Sequence, residues 1–425
     1  MKGIQRWMRR NAFPLLTGVG LTGMFIYFAF LPRRVGLNLW PDFVSGLSQA
    51  TVLVGPIAAG ACAVVASRVA SPLASRLQVS ARTPSVAVAR QAVTTIAPIA
   101  VSFPLALLIL GIYGAATGTY GTPSGPWLLA IASTVVVACS SGYFVGLLIG
   151  SRWFTAPVVA VGYFALYVIL QSVPLPHGYR SLFPAIPNRD TEFAHYITQT
   201  TWAQVVLFLG IACLFALLAR PRGVRVERAL LIAAIPVAIA SVVAGAVVVS
   251  TNGQYLTGYN SRDFVCDGSD PVICVNKGYA GALDGLTARF EVFETKTIGT
   301  SLQPQRLEQN VEGVGDEPST GSRSIYIEGI DAAGLDQTVA RYVTKYGGSY
   351  ACSDDTPYPT FVATIIVDVW LSGVDQYGLD SLDSTAEGAS EWNRFRLLTP
   401  TEGNEWLREH EQAYLTCNLT LADLP

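Results

Sequence analysis

Apolar and polar positions are distributed unevenly along this chain. Stretches without Asp, Glu, Lys or Arg run over residues 11–32, 43–67, 91–151, 153–179, 193–219 and 229–261. A helix that crosses a bilayer needs about 20 apolar residues, and a charge at its centre costs about 2.5–3.5 kcal/mol. The 91–151 stretch is long enough to cross twice, and ATGTYGTPSGP at 116–126 supplies the turn. Seven spans are predicted, near residues 12–31, 44–66, 92–115, 127–150, 154–172, 202–219 and 229–250. None of them carries the charged face that a buried helix of a soluble protein turns to water. The opening MKGIQRWMRRNAFPLLTGVG has a basic start but no clean small-residue cleavage site, so it reads as a retained first span.

Beyond residue 250 the pattern changes to shorter alternating elements, enough for a domain of about 175 residues with its own core. VNKGYAGALDGLTARFEVFET (275–295) reads as a helix, RSIYIEG (323–329) as a strand, and LDQTVARYVTKYGG (335–348) as a helix with a glycine stop. YPTFVATIIVDVWLSG (358–373) fits a helix or a buried strand, and EGVGDEPSTGSR (312–323) a loop. Thr399, Pro400 and Glu402 match the N-cap, N1 and N3 positions of a helix over 399–417. The fold class is therefore an α-helical polytopic membrane protein of about seven transmembrane helices (1–250), with a C-terminal α/β or mostly helical domain (251–425).

Charge sharpens the division. Residues 1–250 hold 17 Lys or Arg against four acids, Asp42, Asp190, Glu192 and Glu227, whereas residues 251–425 hold 11 basic and 26 acidic residues. Loops rich in Lys and Arg stay in the cytoplasm. With the N-terminus inside, segments 1–10, 67–90, 151–153 and 220–228 carry 13 basic residues, and the opposite loops carry four. Seven spans then leave the C-terminal domain extracytoplasmic, in a multi-pass protein of the cell membrane. Cysteine usage agrees. Cys62, Cys139 and Cys213 fall in spans, while Cys266, Cys274, Cys352 and Cys417 form an even set outside them. Two disulfides are expected in an oxidising compartment. Three pairings are open; a local Cys266–Cys274 clip with a long-range Cys352–Cys417 staple is favoured.

Two features of the membrane half attract functional readings. The cytoplasmic loop 67–90 carries Arg68, Arg76, Arg82 and Arg90 without an acid. Ser71 as N-cap and Pro72 at N1, with Val69, Leu73 and Leu77 at i, i+4, i+8, predict a short amphipathic helix along the membrane. Its role is lipid anchoring or docking of a cytoplasmic protein. SGYFVGLLIG (141–150) sets Gly142, Gly146 and Gly150 on one helix face, a close-packing pattern for a neighbour in the bundle or a second copy. The outer loop 173–200 mixes Pro, aromatic and apolar residues, as for short helices dipping back to the membrane.

Several chemistries lose ground. No Gly-Lys dipeptide occurs, hence no Walker A loop. HEQAY (410–414) lacks a second histidine for an HExxH site, and no CxxC pair suggests zinc. No acid or base lies deep in a span, which weakens a proton-coupled mechanism. No catalytic, metal or cofactor-binding residues are assigned, and the chain is not expected to be an enzyme by itself.

The basic N-terminal stretch, the Arg-bearing loop between spans two and three, and the long loop between spans five and six resemble permease subunits of ABC-2-type ABC transporters. ICVNKGYAGAL (273–283) and EWLREHEQAYLTCNL (405–419) look like the C-terminal domain attached to such permeases in actinobacteria. A seventh span departs from the family's usual six. The resemblance implies a permease subunit of an ATP-driven exporter, paired with an identical or related permease chain in membrane lipid. A separate ATP-binding cassette ATPase subunit would bind ATP and magnesium, and no nucleic acid is involved. Arg68, Leu73, Arg76, Leu77, Arg82 and Arg90 would form the segment that couples to it. The rival reading is a membrane receptor or scaffold that binds a partner through the C-terminal domain without transport.

Overall fold

The computed structural model describes residues 2–32, 38–79, 84–149, 154–174, 179, 181–183, 194–219, 228–251, 256–259, 264–268, 270–310, 321–353, 355–381 and 386–425. About 75% of the described residues are helical. It divides into two compact units, and the division falls between Tyr259 and Asn260. The strand β2 (Leu256–Tyr259) pairs antiparallel with β1 (Ala194–Tyr196), which ties the segment after the last apolar helix to the first unit.

The first unit contains α1 (Lys2–Phe30), α2 (Trp40–Val79), α3 (Pro84–Ala100), α4 (Ser102–Thr117), α5 (Gly125–Ile149), α6 (Thr155–Ser172), α7 (Thr198–Leu218) and α8 (Arg228–Ser250). Seven stretches are long and apolar enough to cross a membrane: Ala12–Phe30, Trp40–Arg68, Arg90–Thr117, Gly125–Ile149, Thr155–Ser172, Thr198–Leu218 and Arg228–Ser250. This is a multi-pass helical bundle. The third stretch joins α3 to α4 across a break at Val101, between Pro98 and Pro104. Neither proline has an amide hydrogen to bond the carbonyl four residues back, and their rings crowd the preceding turn. Thr22 of α1 steadies the joint by donating to the Ser102 carbonyl at 3.2 Å.

Side-chain pairings give the helix directions. Ala59 faces Gly142 and Ala63 faces Gly146, so α2 and α5 run parallel. Phe144 and Phe215, both near the C-terminal ends of their helices, meet with ring centroids 5.4 Å apart, so α5 and α7 are parallel too. Phe30 at the end of α1 meets Phe43 at the start of α2 at 5.4 Å, an antiparallel pair. These directions are the alternation expected of a chain threaded back and forth.

The second unit has a four-stranded sheet in the order β3 (Phe264–Cys266), β4 (Val272–Asn276), β5 (Arg306–Gln309) and β6 (Arg323–Ile325). The β3–β4 pair is antiparallel and the other two are parallel. The helices are α9 (Leu283–Thr297), α10 (Ala332–Tyr346), α11 (Tyr358–Ser372), α12 (Ala389–Phe395) and α13 (Pro400–Leu415). Tyr342 of α10 meets Phe290 and Phe293 of α9 edge to face at 5.3 and 5.4 Å. Trp370, Phe395 and Trp406 continue the core at 5.4 and 4.9 Å.

Several expectations change here. The helix read over 275–295 starts late: Val275 and Asn276 close β4, and Lys277–Ala282 is a 3₁₀ turn capped by Asn276, whose side chain accepts the Gly278 N–H. Ile273, Cys274 and Val275 are fully buried, a continuous apolar run that suits an interior strand. Only Arg323–Ile325 of the 323–329 stretch is laddered. The ambiguous 358–373 segment is a helix, closed by Gly373 at φ 71°. Thr399 and Glu402 form the reciprocal cap that their spacing indicates. In the outer loop, Ala194–Tyr196 is a strand rather than a dipping helix, and residues 311–320 of the acidic loop lie outside the described residues.

Candidate functional site

The Arg-bearing segment takes a different form from the one its sequence suggests. No separate helix opens at Ser71. Instead α2 runs unbroken through Ser71 and Pro72 to Val79, and α3 starts back at Pro84. Ser71 and Pro72 are good starting signals, but a helix already nucleated upstream extends at the loss of one hydrogen bond, whereas a new one must be nucleated. Leu73, Arg76 and Leu77 therefore fall in the last two turns of α2, and Arg82 lies outside the described residues. Arg68 and Arg90 are exposed. The Arg68 guanidinium sits 5.6 Å from the centre of the Phe13 ring.

The glycine face of α5 packs inside the bundle. A Cβ on Gly142 would fall 2.0 Å from the Ala59 carbonyl oxygen, and one on Gly146 would fall 2.5 Å from that of Ala63. Backbone lies against backbone there, so any side chain would force the helices apart. Gly150 lies outside the described residues.

A polar interior emerges mainly from uncharged residues, with Asp42 buried in the first turn of α2. Ser45, Ser48 and Thr51 of α2, Ser133 and Thr134 of α5, and Thr200, Thr201 and Gln204 of α7 are all buried. Several hydroxyls bond their own helix, as Thr51 to the Ser48 carbonyl at 2.6 Å and Thr134 to that of Ile131 at 2.8 Å. Ser48 Oγ, Thr200 Oγ1 and Gln204 Oε1 have no protein partner. Because α2, α5 and α7 run parallel, these residues occupy the same end of the bundle. An unpaired polar group in hydrocarbon costs several kcal/mol, so these three atoms have hydrogen-bonding capacity that water would satisfy. Sequence reasoning weighed only ionisable residues in the spans. The spacing of Ser45, Ser48 and Thr51, and of Thr200 and Gln204, along one helical face was the available signal.

In the second unit the four cysteines are joined as Cys266–Cys274, directly across the β3–β4 pair, and Cys352–Cys417, with Cα atoms 4.0 and 5.2 Å apart. Beside the second bridge Asp368 is fully buried in α11. The Tyr414 hydroxyl donates to its Oδ1, and Ser349 lies against the same carboxyl. Burial pushes the Asp368 carboxyl up to about 6, opposed by those hydrogen bonds. The same burial, with the neighbouring carboxylate, raises the Tyr414 hydroxyl well above its ordinary value. Lys296 donates to the carbonyls of Trp370 at 2.6 Å and Leu371 at 3.5 Å, capping the negative end of α11. Desolvation lowers its ammonium to about 8. Asp368, the one acid in an apolar run, was legible in sequence but not singled out. His410 stacks on Trp406 at 4.6 Å and Glu411 accepts the Ser301 amide, so HEQAY serves packing. No cluster of three or more metal-ligating side chains occurs among the described residues.

Comparison of the chain with family models, curated proteins and solved structures returned no match.

Proposed function

We propose that this chain is the membrane-spanning permease subunit of an ATP-driven exporter of the ABC-2 type, working with a second permease chain and a separate ATPase. The observation that carries the reading is the length of α2. Its 40 residues extend about 60 Å, twice what the hydrocarbon core requires. The excess of α2 beyond Arg68, which includes Arg76, and the start of α3 before Arg90 extend past the apolar stretches, suited to receive a cytoplasmic motor. The buried polar groups of α2 and α7, at the opposite end of α2, suit the path of a polar or amphipathic cargo. The loop arginine bias supports an inside position for these extensions and an extracytoplasmic C-terminal domain, where disulfides persist.

The test is a mild-detergent purification of the tagged chain, assayed for a stoichiometric ATP-binding protein. It is repeated with Leu73→Glu and Leu77→Glu together. Co-purification in the first case and its loss in the second is the expected result. Absence of an ATPase from both overturns the reading and favours a receptor or scaffold.

A further inference from the structure

The outer surface of the first unit carries a slot of about 310 Å³ between α1, α2 and α6. Its walls include Phe13 of α1, Ile57, Ala61 and Val64 of α2, and Ala160 of α6. Small residues make the recess, since a bulkier α2 or α6 would fill it. Phe13 and Ile57 are 41% and 43% exposed, so the slot opens outward, where a bilayer protein meets lipid. The one hydroxyl in the wall, on Thr17, is donated to the Phe13 carbonyl at 2.9 Å, which leaves the lining apolar.

One end of the slot is charged. Ile57, Ala61, Val64 and Arg68 follow one another at spacings of four, three and four residues, a single stripe along α2. The stripe is about 16 Å long at 1.5 Å per residue, close to half the ~30 Å hydrocarbon thickness, that is, one leaflet. Arg68 closes it, exposed, with its guanidinium over the ring of the slot residue Phe13. Among the described residues no carboxylate lies within ion-pair distance of Arg68. A ring face steadies a guanidinium without neutralising it, so the fork of donors stays available to an anion.

We propose that this slot is a lipid site: it takes one acyl chain of an anionic phospholipid, with the phosphate on Arg68. Apolar recess, leaflet-length stripe and terminal guanidinium match the parts of such a molecule in order. A choline head would bring its own cation beside Arg68, so a net anionic head is preferred. The site does not rest on the transport reading, since a receptor in the same membrane would hold the same lipid.

Native mass spectrometry of the full chain in detergent, titrated with phosphatidylglycerol or phosphatidylcholine, tests this. Phosphatidylglycerol should be retained about tenfold more strongly, the size of one charge-assisted contact. Arg68→Ala should reduce it to the phosphatidylcholine level, and Arg68→Lys should keep most of the preference. Ile57→Trp, at an exposed wall position where folding is not at stake, should lower retention of both lipids. Equal retention of the two lipids, or a preference unchanged in Arg68→Ala, overturns the proposal. So does retention unchanged in Ile57→Trp. Glycerol phosphate binding as well as the intact lipid would reduce the feature to a bare phosphate contact and overturn the lipid assignment.

Discussion

Replacing Asp368 with Asn should stabilise the C-terminal domain at neutral pH and remove a pH dependence with it. The carboxyl is fully buried and titrates at about 6 instead of the ordinary 3.8. The folded state therefore holds its proton more tightly than the unfolded chain. Stability from this group is complete below about pH 4, falls as pH rises through 4–6, and is lost above about 6. A shift of about two units at ~1.4 kcal/mol each corresponds to ~3 kcal/mol. Asn keeps the shape and an acceptor for the Tyr414 hydroxyl, and never needs to bury a charge. At pH 7.5 the variant should gain up to ~3 kcal/mol, about 6–12 °C in Tm for a domain of this size. At pH 4.5, where the unfolded carboxyl is already mostly ionised and the folded one is not, the gain should shrink to about 1 kcal/mol. Scanning calorimetry of the full chain in detergent at both pH values reads the difference. The carboxylates of Glu402, Glu391 and Asp423, held low mainly by hydrogen bonds from Thr399, Ser390 and Thr420, lose stability on acidification below about pH 4 in both proteins and cancel in the comparison. An Asn variant equal to or weaker than the parent at pH 7.5, with an unaltered pH profile, would refute the argument that burial dominates this carboxyl.

Three further outcomes are expected. Alkylation of the denatured, unreduced chain should modify three thiols, Cys62, Cys139 and Cys213, and reduction should release four more, checked by intact mass. Breaking the Cys352–Cys417 bridge, which closes a separation of 65 residues, should cost about 4 kcal/mol and the shorter clip about 2.5 kcal/mol on chain-entropy grounds. Gly142→Leu should abolish a monodisperse elution peak, whereas Gly162→Ala, with open space around it, should leave the peak and Tm unchanged. A cysteine at Leu397, 80% exposed, should react with an impermeant reagent on intact cells; reaction only after lysis would reverse the orientation drawn from the arginines.

What could be read in advance follows from which constraint is strongest. The bilayer demands length and apolarity together, so the seven spans stand out in the sequence and their ends shift by only a few residues. The capping pair Thr399 and Glu402 is equally legible, because the interaction is local. Ser71 and Pro72 mislead for the same reason: they describe a local preference, and the continuity of α2 is decided by the turns before them. Val275 and Asn276 end in a strand because β3 pairs with them, Val265 opposite Val275 and Phe264 opposite Asn276, a pairing that the helical periodicity of the segment itself does not show. The polar interior escaped attention because, apart from Asp42 in the first turn of α2, it consists of hydroxyls and one amide, none of which disturbs a hydropathy profile.

The continuity of α2 also makes it a lever. Its close backbone approach to α5, Ala59 against Gly142, is a natural fulcrum, since neither residue has a rotamer to rearrange. From there Val79 lies about 30 Å away in one direction and Ser48 about 16 Å in the other. A sideways push of about 3 Å at the arginine end would swing the hydroxyl end by about 1.6 Å in the opposite sense, by the ratio of the two arms.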